Sequence, residues 1–286
     1  MTATFDKTHS LLSHQSSSAS SGVPHLFLFP GMGGYDPDLI QLGIACEEWV
    51  QATQLAFPHW TAVVRRPQFD FEVLLGDILR QINSHCPAGP VLLAGYSFGG
   101  IVAFAVAHRL GKAGRSVRFL GLLDIEAEPG VGIGARRRRM TPRQELAGFI
   151  AALRRGEGLS KLAYAASRIL KEPQARPLTR LIAGLPRRLW SGKFASYLDR
   201  DLLFWHLVPL LREWATIGPT LPPLDAQTCL FRTEQHDSDA PWHLGWDRLC
   251  PNLRVVAVPG KHSTLLGQSL AAVREAFAEA VRHSLR

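Results

Sequence analysis

The chain has 286 residues, of which 46% are hydrophobic and 20% charged, and its formal net charge is +8. This length and apolar content are enough for one α/β domain with an insertion and a sizeable core. No run of about 18 apolar residues occurs, so the sequence predicts a soluble protein without a membrane span.

Residues 1–22 form a polar leader that is rich in serine. The leader has no apolar stretch long enough for a signal sequence, and its composition is too polar to form a core. We therefore expect the leader to be disordered and dispensable, with residues 23–286 forming the folded domain.

Cysteines occur at Cys46, Cys86, Cys229 and Cys250, without the spacing of a metal site or a redox motif. Scattered cysteines of this kind are typical of reduced thiols that pack in the core of a cytosolic protein. We expect a cytoplasmic protein that holds no metal ion.

Short apolar runs rich in β-formers predict the strands, and amphipathic or Ala/Val-rich stretches between them predict helices. The strands are expected at His25–Pro30, Thr61–Arg65, Pro90–Ala94, Val117–Asp124, Thr228–Arg232 and Leu253–Val258. The helices are expected at Phe71–Ser84, Gly99–Gly111 and Gln268–Leu285. This alternation predicts an α/β fold whose mostly parallel sheet carries helices on both faces.

The alternation stops at about residues 126–223, where helical pieces are expected at Pro142–Arg155, Leu159–Leu170 and Ser196–Thr216. We predict that this segment is a helical lid inserted above the sheet. Residues 126–225 contain 17 Lys/Arg and 9 Asp/Glu, a net charge of +8 that equals the charge of the whole chain. The expected lid is therefore the basic part of the protein.

The strongest motif follows the third apolar run, where Val91–Ala94 leads into Gly95-Tyr96-Ser97-Phe98-Gly99-Gly100. A G-x-S-x-G sequence between a buried strand and a helix is typical of the nucleophile elbow of α/β-hydrolases. Gly95 and Gly99 give the sharp turn the space that it needs. The motif predicts Ser97 as the nucleophile and the N–H of Phe98 as an oxyanion donor.

A glycine-rich loop, Pro30-Gly31-Met32-Gly33-Gly34, follows the first predicted strand. Its sequence does not match the phosphate-binding pattern G-x-x-x-x-G-K-[ST]. We assign the second oxyanion donor to the N–H of Met32.

A serine hydroxyl needs a histidine to accept its proton and an acid to orient that histidine. His262 follows the last predicted strand, which is where the chain order of serine, acid and histidine places the base. Asp124 ends the strand after the elbow helix and is the favoured acid. Asp237 and Asp239, which follow the next strand, are the alternatives.

These residues together resemble the thioesterases of nonribosomal peptide and polyketide assembly lines and of fatty-acid synthesis. The likeness covers about residues 24–283 apart from the insertion. It is carried by Leu26–Gly34, the elbow, Leu122–Asp124, Leu230–Arg232, Gly245-Trp246 and Val258–His262. Lys261 differs from the family pattern, in which an acidic residue often precedes the histidine. Family members that are embedded in a larger chain place the acid at the position of Asp124, which supports this residue. The length of the present chain, in contrast, suggests a separate protein.

The resemblance implies hydrolysis or cyclisation of an acyl, peptidyl or polyketide chain. That chain is carried as a thioester on the phosphopantetheine arm of a carrier protein or on coenzyme A, and no further cofactor is implied. Carrier proteins are generally acidic, so a basic lid could steer them to the enzyme. No nucleic-acid-binding motif accompanies this charge. The candidate contacts are Arg136, Arg137, Arg138, Arg139, Arg154, Arg155, Arg187 and Arg188.

Two alternatives stay open. One is an esterase or acyltransferase that acts on oxygen esters, although the sequence has no H-G-G-G oxyanion motif. The other is a carrier-binding protein that holds acyl chains without turnover. Aromatic residues of the lid would line an acyl pocket or pack the lid on the sheet; they are Trp190, Phe194, Tyr197, Phe204, Trp205 and Trp214.

Overall fold

The structure is a computed structural model that describes residues 22–129, 158–186, 192–234, 236 and 240–286. Several sequence predictions lie outside these residues. They concern the leader up to residue 21, the helix Pro142–Arg155, the four arginines 136–139, Trp190, Asp237 and Asp239.

The described residues form one six-stranded sheet in the order β2-β1-β3-β4-β5-β6, and every neighbouring pair is parallel. The strands are β1 His25–Phe29, β2 Gln51–Gln54, β3 Val91–Tyr96, β4 Val117–Leu123, β5 Gln227–Thr233 and β6 Leu253–Val258. The predicted mostly parallel α/β sheet is confirmed, and within the described part it is wholly parallel.

The helices are α1 Ile40–Ile44, α2 Trp60–Arg65, α3 Phe71–His85, α4 Phe98–Lys112, α5 Gly158–Leu170, α6 Arg176–Gly184, α7 Lys193–Ile217 and α8 Leu270–Ser284. Asp70 begins α3 by accepting a hydrogen bond from the N–H of Val73. This side-chain cap satisfies one of the N–H groups that a helix start leaves without a partner.

Alternating residues of each central strand bury against opposite layers, as the period of two in a strand requires. In β1, Phe27 and Phe29 pack in the core that contains residues of α3 and α4, while Leu26 and Leu28 pack in the core that contains residues of α1 and α8. Both faces of the sheet are therefore covered by helices, as expected for a parallel sheet.

The predicted strand Thr61–Arg65 is wrong, because Trp60–Arg65 is helix α2. The His59 side chain caps α2 by accepting from the N–H of Thr61. Trp60 and Val63, which are three residues apart, are the buried residues of this helix. Local β-propensity is thus overridden by the burial of a helical face. The strand that fills the edge of the sheet is β2, whose sequence Gln-Ala-Thr-Gln has no apolar run to reveal it.

Helices α5, α6 and α7 lie between β4 and β5, within the predicted insertion. Trp214 of α7 is fully buried and donates through Nε1 to the carbonyl of Ala127 at 2.7 Å. Trp60 of α2 donates through Nε1 to Asp199 of α7 at 2.5 Å. Leu203 of α7 lies so close to Gly34 that a side chain at Gly34 would overlap it. The long helix α7 is therefore packed on the main body and on the loop after β1.

Among the described residues, no helix is long and apolar enough to cross a membrane. All four cysteines are free, and Cys46, Cys229 and Cys250 are buried. Burial raises the pKa of each of these three thiols to about 12, so they are inert core residues.

The strand order creates a switch point between β1 and β3, because the chain runs from β1 to β2 in one direction and then crosses to β3. Loops at the carboxyl ends of two such strands diverge and leave a crevice where ligands bind in open parallel sheets. The loop after β1 contains Met32, and the turn after β3 contains Ser97.

Candidate active site

Ser97 occupies a sharp turn between β3 and α4, with φ 54° and ψ −130°. This conformation is costly for any residue with a side chain and recurs at functional sites. A Cβ at Gly95 would overlap the backbone of Gly99 and Gly100, and a Cβ at Gly99 would overlap the carbonyls of Phe29 and Pro30. The two glycines are therefore required for the turn that presents Ser97.

Ser97, His262 and Asp124 form one hydrogen-bonded series. Oγ of Ser97 lies 3.1 Å from Nε2 of His262, and Nδ1 of His262 lies 2.9 Å from Oδ2 of Asp124. The three residues come from the turn after β3, the 3₁₀ turn after β6 and the end of β4. The structure thus brings together three side chains that are separated by 138 and 165 residues along the chain.

The protonation states follow from which groups can donate. An ionised carboxylate only accepts, so Nδ1 of neutral His262 carries the proton that faces Asp124. Nε2 is then the unprotonated nitrogen and can accept from the hydroxyl of Ser97. This tautomer is the one that a general base needs in a serine triad.

Asp124 is 3% exposed and accepts from several donors. Its Oδ1 accepts from the backbone N–H of Thr233 at 2.7 Å and from Nε2 of His236 at 2.9 Å, while Oδ2 accepts from His262. Burial alone would raise the pKa of Asp124. The hydrogen bonds from His262, Thr233 and His236 outweigh burial and lower the pKa to about 2. Asp124 is therefore a buried carboxylate that stays ionised.

Tyr96 precedes the serine and supports the turn that holds His262. Its ring stacks on the imidazole of His262 with centroids 5.0 Å apart and planes inclined by 21°. Its hydroxyl donates to the backbone carbonyl of His262 at 2.8 Å. Burial raises the pKa of Tyr96, with additional contributions from the charges of Asp36 and Asp124, so the hydroxyl stays protonated.

The two predicted oxyanion donors are the residue after Ser97 and a residue of the loop after β1. Phe98 is the first residue of α4, and the first N–H groups of a helix have no acceptor within that helix. Met32 follows Gly31, where an added Cβ would lie 3.6 Å from Cβ of Ser97. The loop after β1 is therefore in contact with the elbow, on the side of the switch-point crevice.

The family model of the thioesterase domain matches residues 24–182, which is more than half of the chain. The chain belongs to the thioesterase domain family. The segment that matches includes the loop after β1, the elbow, Asp124 and helix α5. The family resemblance and the α/β-hydrolase fold expected from the sequence are both confirmed.

Solved thioesterase domains share the fold of this thioesterase. The NocB thioesterase domain, in a covalent complex with a fluorophosphonate nocardicin G analogue, matches with a TM-score of 0.57 and 21% identity. That match covers 92% of this chain and 95% of the other. The Vlm2 thioesterase domain bound with a dodecadepsipeptide matches with a TM-score of 0.56 and 22% identity, over 90% of this chain and 93% of the other.

Sequence relatives match this thioesterase over short stretches. The inactive atromentin synthetase invA6 of Paxillus involutus is 59% identical over 39 residues, which are 14% of this chain and 4% of that protein. The nonribosomal peptide synthetase pngA of Aspergillus terreus is 44% identical over 59 residues, which are 21% of this chain and 6% of that protein. The chain therefore spans a small part of the length of these relatives.

The other predicted residues are two alternative acids, four arginines and the aromatic residues of the insertion. The alternative acids Asp237 and Asp239 and the four arginines 136–139 lie outside the described residues. Trp214 packs against Phe71 and Phe104 in the core, which fits the packing role. Phe194, Tyr197, Phe204 and Trp205 are partly buried. Among the described residues, no group of three His, Cys, Asp or Glu is arranged to hold a metal ion.

The sequence reasoning missed His236 as a partner of Asp124 and Tyr96 as a partner of His262. His236 lies in the loop after β5, where the alternative acids were sought, but this position alone does not indicate a contact with Asp124. No comparable signal existed for the stacking of Tyr96, which depends on the position of the turn after β6.

Proposed function

We propose that this thioesterase releases an acyl, peptidyl or polyketide chain from a phosphopantetheine thioester through an acyl-Ser97 intermediate. The observation that carries the proposal is the unbroken hydrogen-bonded series from Ser97 through His262 to the buried carboxylate of Asp124. In this assignment Ser97 is the nucleophile, His262 the general base and acid, and Asp124 the residue that orients His262.

In the acylation step, Nε2 of His262 takes the proton of the Ser97 hydroxyl while Oγ attacks the thioester carbonyl. A C–O bond forms, and the carbonyl electrons move onto the oxygen of a tetrahedral intermediate. When the intermediate collapses, the C–S bond breaks and the thiol of the phosphopantetheine arm leaves with the proton from His262. Asp124 stabilises the imidazolium that exists between the two proton transfers.

The N–H groups of Phe98 and Met32 would donate to the oxyanion of the intermediate. Phe98 supplies the amino end of α4, where the helix dipole favours negative charge. Donors of this kind are positioned before the reaction begins, so they stabilise the developing charge without a cost of reorganisation.

In the second step, a water molecule or a nucleophile of the acyl chain attacks acyl-Ser97. Water gives a free acid, while a hydroxyl or amine of the bound chain gives a lactone or lactam. The half-exposed imidazole of His262 can accept the proton of either nucleophile. The choice between them depends on how well the bound chain and the insertion exclude water.

The carrier-bound form of the substrate is supported by the names of the relatives and fold neighbours, which are synthetases of nonribosomal peptide type and their thioesterase domains. The basic residues 136–139 are the proposed contacts of an acidic carrier protein. No cofactor beyond the phosphopantetheine of the substrate takes part in the proposed chemistry.

The test is mass spectrometry of the intact protein after incubation with a panel of acyl-pantetheine thioesters. We expect a mass increase by one acyl group on wild type and none on Ser97→Ala, with Ser84→Ala, an exposed serine of α3, as the matched control. Acylation that persists in Ser97→Ala contradicts the nucleophile. Matched oxygen esters that react faster than the thioesters favour the esterase alternative, and acylation without later turnover favours the carrier-binding alternative.

A further inference from the structure

We propose that His236 is a positioning residue for Asp124, so that the acid is held between two histidines instead of one. This inference rests on the proposed function, in which Asp124 orients His262. His236 does not touch the reacting atoms in this arrangement. It acts by fixing the carboxylate whose other oxygen faces the general base.

The two imidazoles lie on different oxygens of the same carboxylate. Nε2 of His236 is 2.9 Å from Oδ1 of Asp124, and Nδ1 of His262 is 2.9 Å from Oδ2. Because Asp124 is ionised and can only accept, Nε2 of His236 carries the proton and donates it. The side chain of His236 is 16% exposed and that of Asp124 is 1% exposed, so little solvent competes with this hydrogen bond.

A carboxylate has a broad torsional preference about its last bond, and a partner on one oxygen alone does not hold its plane. His236 and the N–H of Thr233 both donate to Oδ1, so Oδ2 stays directed at His262. Thr233 is a residue of β5, whereas His236 lies three residues further along the chain. The end of β5 and the loop after it therefore both donate to Oδ1 and fix its position.

Glu126 lies on the other side of the His236 ring from Asp124. Nδ1 of His236 lies 3.9 Å from Oε1 of Glu126, whose side chain is about half exposed. Glu126 is two residues after Asp124 in the chain, so both acids come from the end of β4. His236 thus links the carboxylates of the β4 end to the loop after β5. At 3.9 Å the approach of His236 to Glu126 is too long for a hydrogen bond, and it is an ion pair only when His236 is protonated.

The first experiment compares two substitutions of His236 with a matched substitution elsewhere. His236→Gln keeps an N–H donor at similar reach, while His236→Leu removes it. The control is His25→Leu, because His25 is also buried and hydrogen-bonded, to Thr53 at 2.8 Å, but lies at the amino end of β1. We expect His236→Leu to lower kcat on an acyl-pantetheine thioester about 10- to 100-fold, the same range as the loss of a hydrogen-bond partner that orients a metal-binding histidine.

In that comparison KM should change little, His236→Gln should recover most of kcat, and His25→Leu should keep the kcat of wild type. A kcat of His236→Leu within about twofold of wild type overturns the proposal. So does a loss in His236→Gln as large as that in His236→Leu, because the donor would then be irrelevant.

A double-mutant cycle separates action through Asp124 from a general structural role. If His236 acts through Asp124, then His236→Leu should have almost no further effect on kcat once Asp124→Asn is present. If the double variant instead loses kcat by the product of the two single-variant factors, the proposal is overturned. The same cycle can be measured on the free energy of unfolding in urea, which does not depend on turnover. If the two substitutions are coupled in stability but wild type has no thioesterase activity, the proposed function fails. The contact between His236 and Asp124 stands in that case.

Discussion

Ser97 and Asp124 follow neighbouring strands of the sheet, and both have a positive φ angle. Their φ angles are 54° and 53°, and the N–H of Ser97 donates to the carbonyl of Leu123, the residue before Asp124, at 3.0 Å. The N–H of Asp124 donates in turn to the carbonyl of Phe231 in β5 at 2.9 Å. Two residues with positive φ are thus held at the carboxyl ends of neighbouring strands by the strands themselves, which fixes the distance between the proposed nucleophile and the proposed acid.

Replacing Ser97 by glycine should give a more stable protein than replacing it by alanine. The conformation at Ser97 costs energy for any residue with a Cβ, and glycine adopts it without that cost. We expect a difference of about 1 kcal/mol in the free energy of unfolding. Urea unfolding of the two variants measures it directly, and both lack the nucleophile, so activity does not enter the comparison. Equal stabilities would mean that the turn carries no strain.

Asp124→Asn should lower kcat by on the order of 10⁴, because the amide no longer holds the productive tautomer of the histidine. Asparagine also tolerates positive φ better than most residues, so the fold should be kept. Circular dichroism checks the fold, and thioester turnover checks the rate. A mild effect here, with a severe effect of Asp237→Asn or Asp239→Asn, would transfer the role of the acid to the loop after β5.

The pKa of Asp124 makes a prediction for stability at acid pH. The folded pKa of about 2 lies below the ordinary value of 3.8 for an aspartate. Ionised Asp124 therefore stabilises the fold above about pH 4 by about 2 kcal/mol, and this contribution is lost as the pH falls towards 2. The difference in unfolding free energy between wild type and Asp124→Asn should shrink between pH 5 and pH 3. A constant difference would contradict the depressed pKa.

Tyr96→Phe should lower kcat about fivefold, because it removes the hydrogen bond to the carbonyl of His262, which is worth about 1 kcal/mol. The stacking of the ring on His262 is retained, so KM should stay close to the wild-type value. Tyr35→Phe, at an exposed tyrosine of the loop after β1, is the control and should leave the rate unchanged. An unchanged rate in Tyr96→Phe would show that stacking alone holds the turn.

Apolar runs rich in β-formers predicted β1, β3, β4, β5 and β6. The polar edge strand β2 was not predicted, because pairing with β1 decides its structure. The short helix α2 was not predicted either, because its structure depends on packing against α7. Ser97 was predictable, since the elbow needs glycines at fixed spacing. His236 was not identified, because its relation to Asp124 depends on how the loop after β5 returns towards the end of β4, and no local pattern encodes that path.

The last prediction concerns residues 136–139, which lie outside the described part of the chain. Reversing Arg136, Arg137, Arg138 and Arg139 to Glu should slow transfer from an acidic carrier protein, because like charges then oppose the encounter. Transfer from a small pantetheine thioester should barely change, since that substrate has no extended negative surface, and it serves as the internal control. Added salt should also slow the carrier reaction of wild type, as the Debye length falls from about 10 Å at 0.1 M to about 3 Å at 1 M. Stopped-flow measurement of acylation with both substrates gives these rates. Equal losses on the two substrates would mean that the substitutions disturb the acyl pocket or the fold of the insertion, and the arginines would then not be a docking surface.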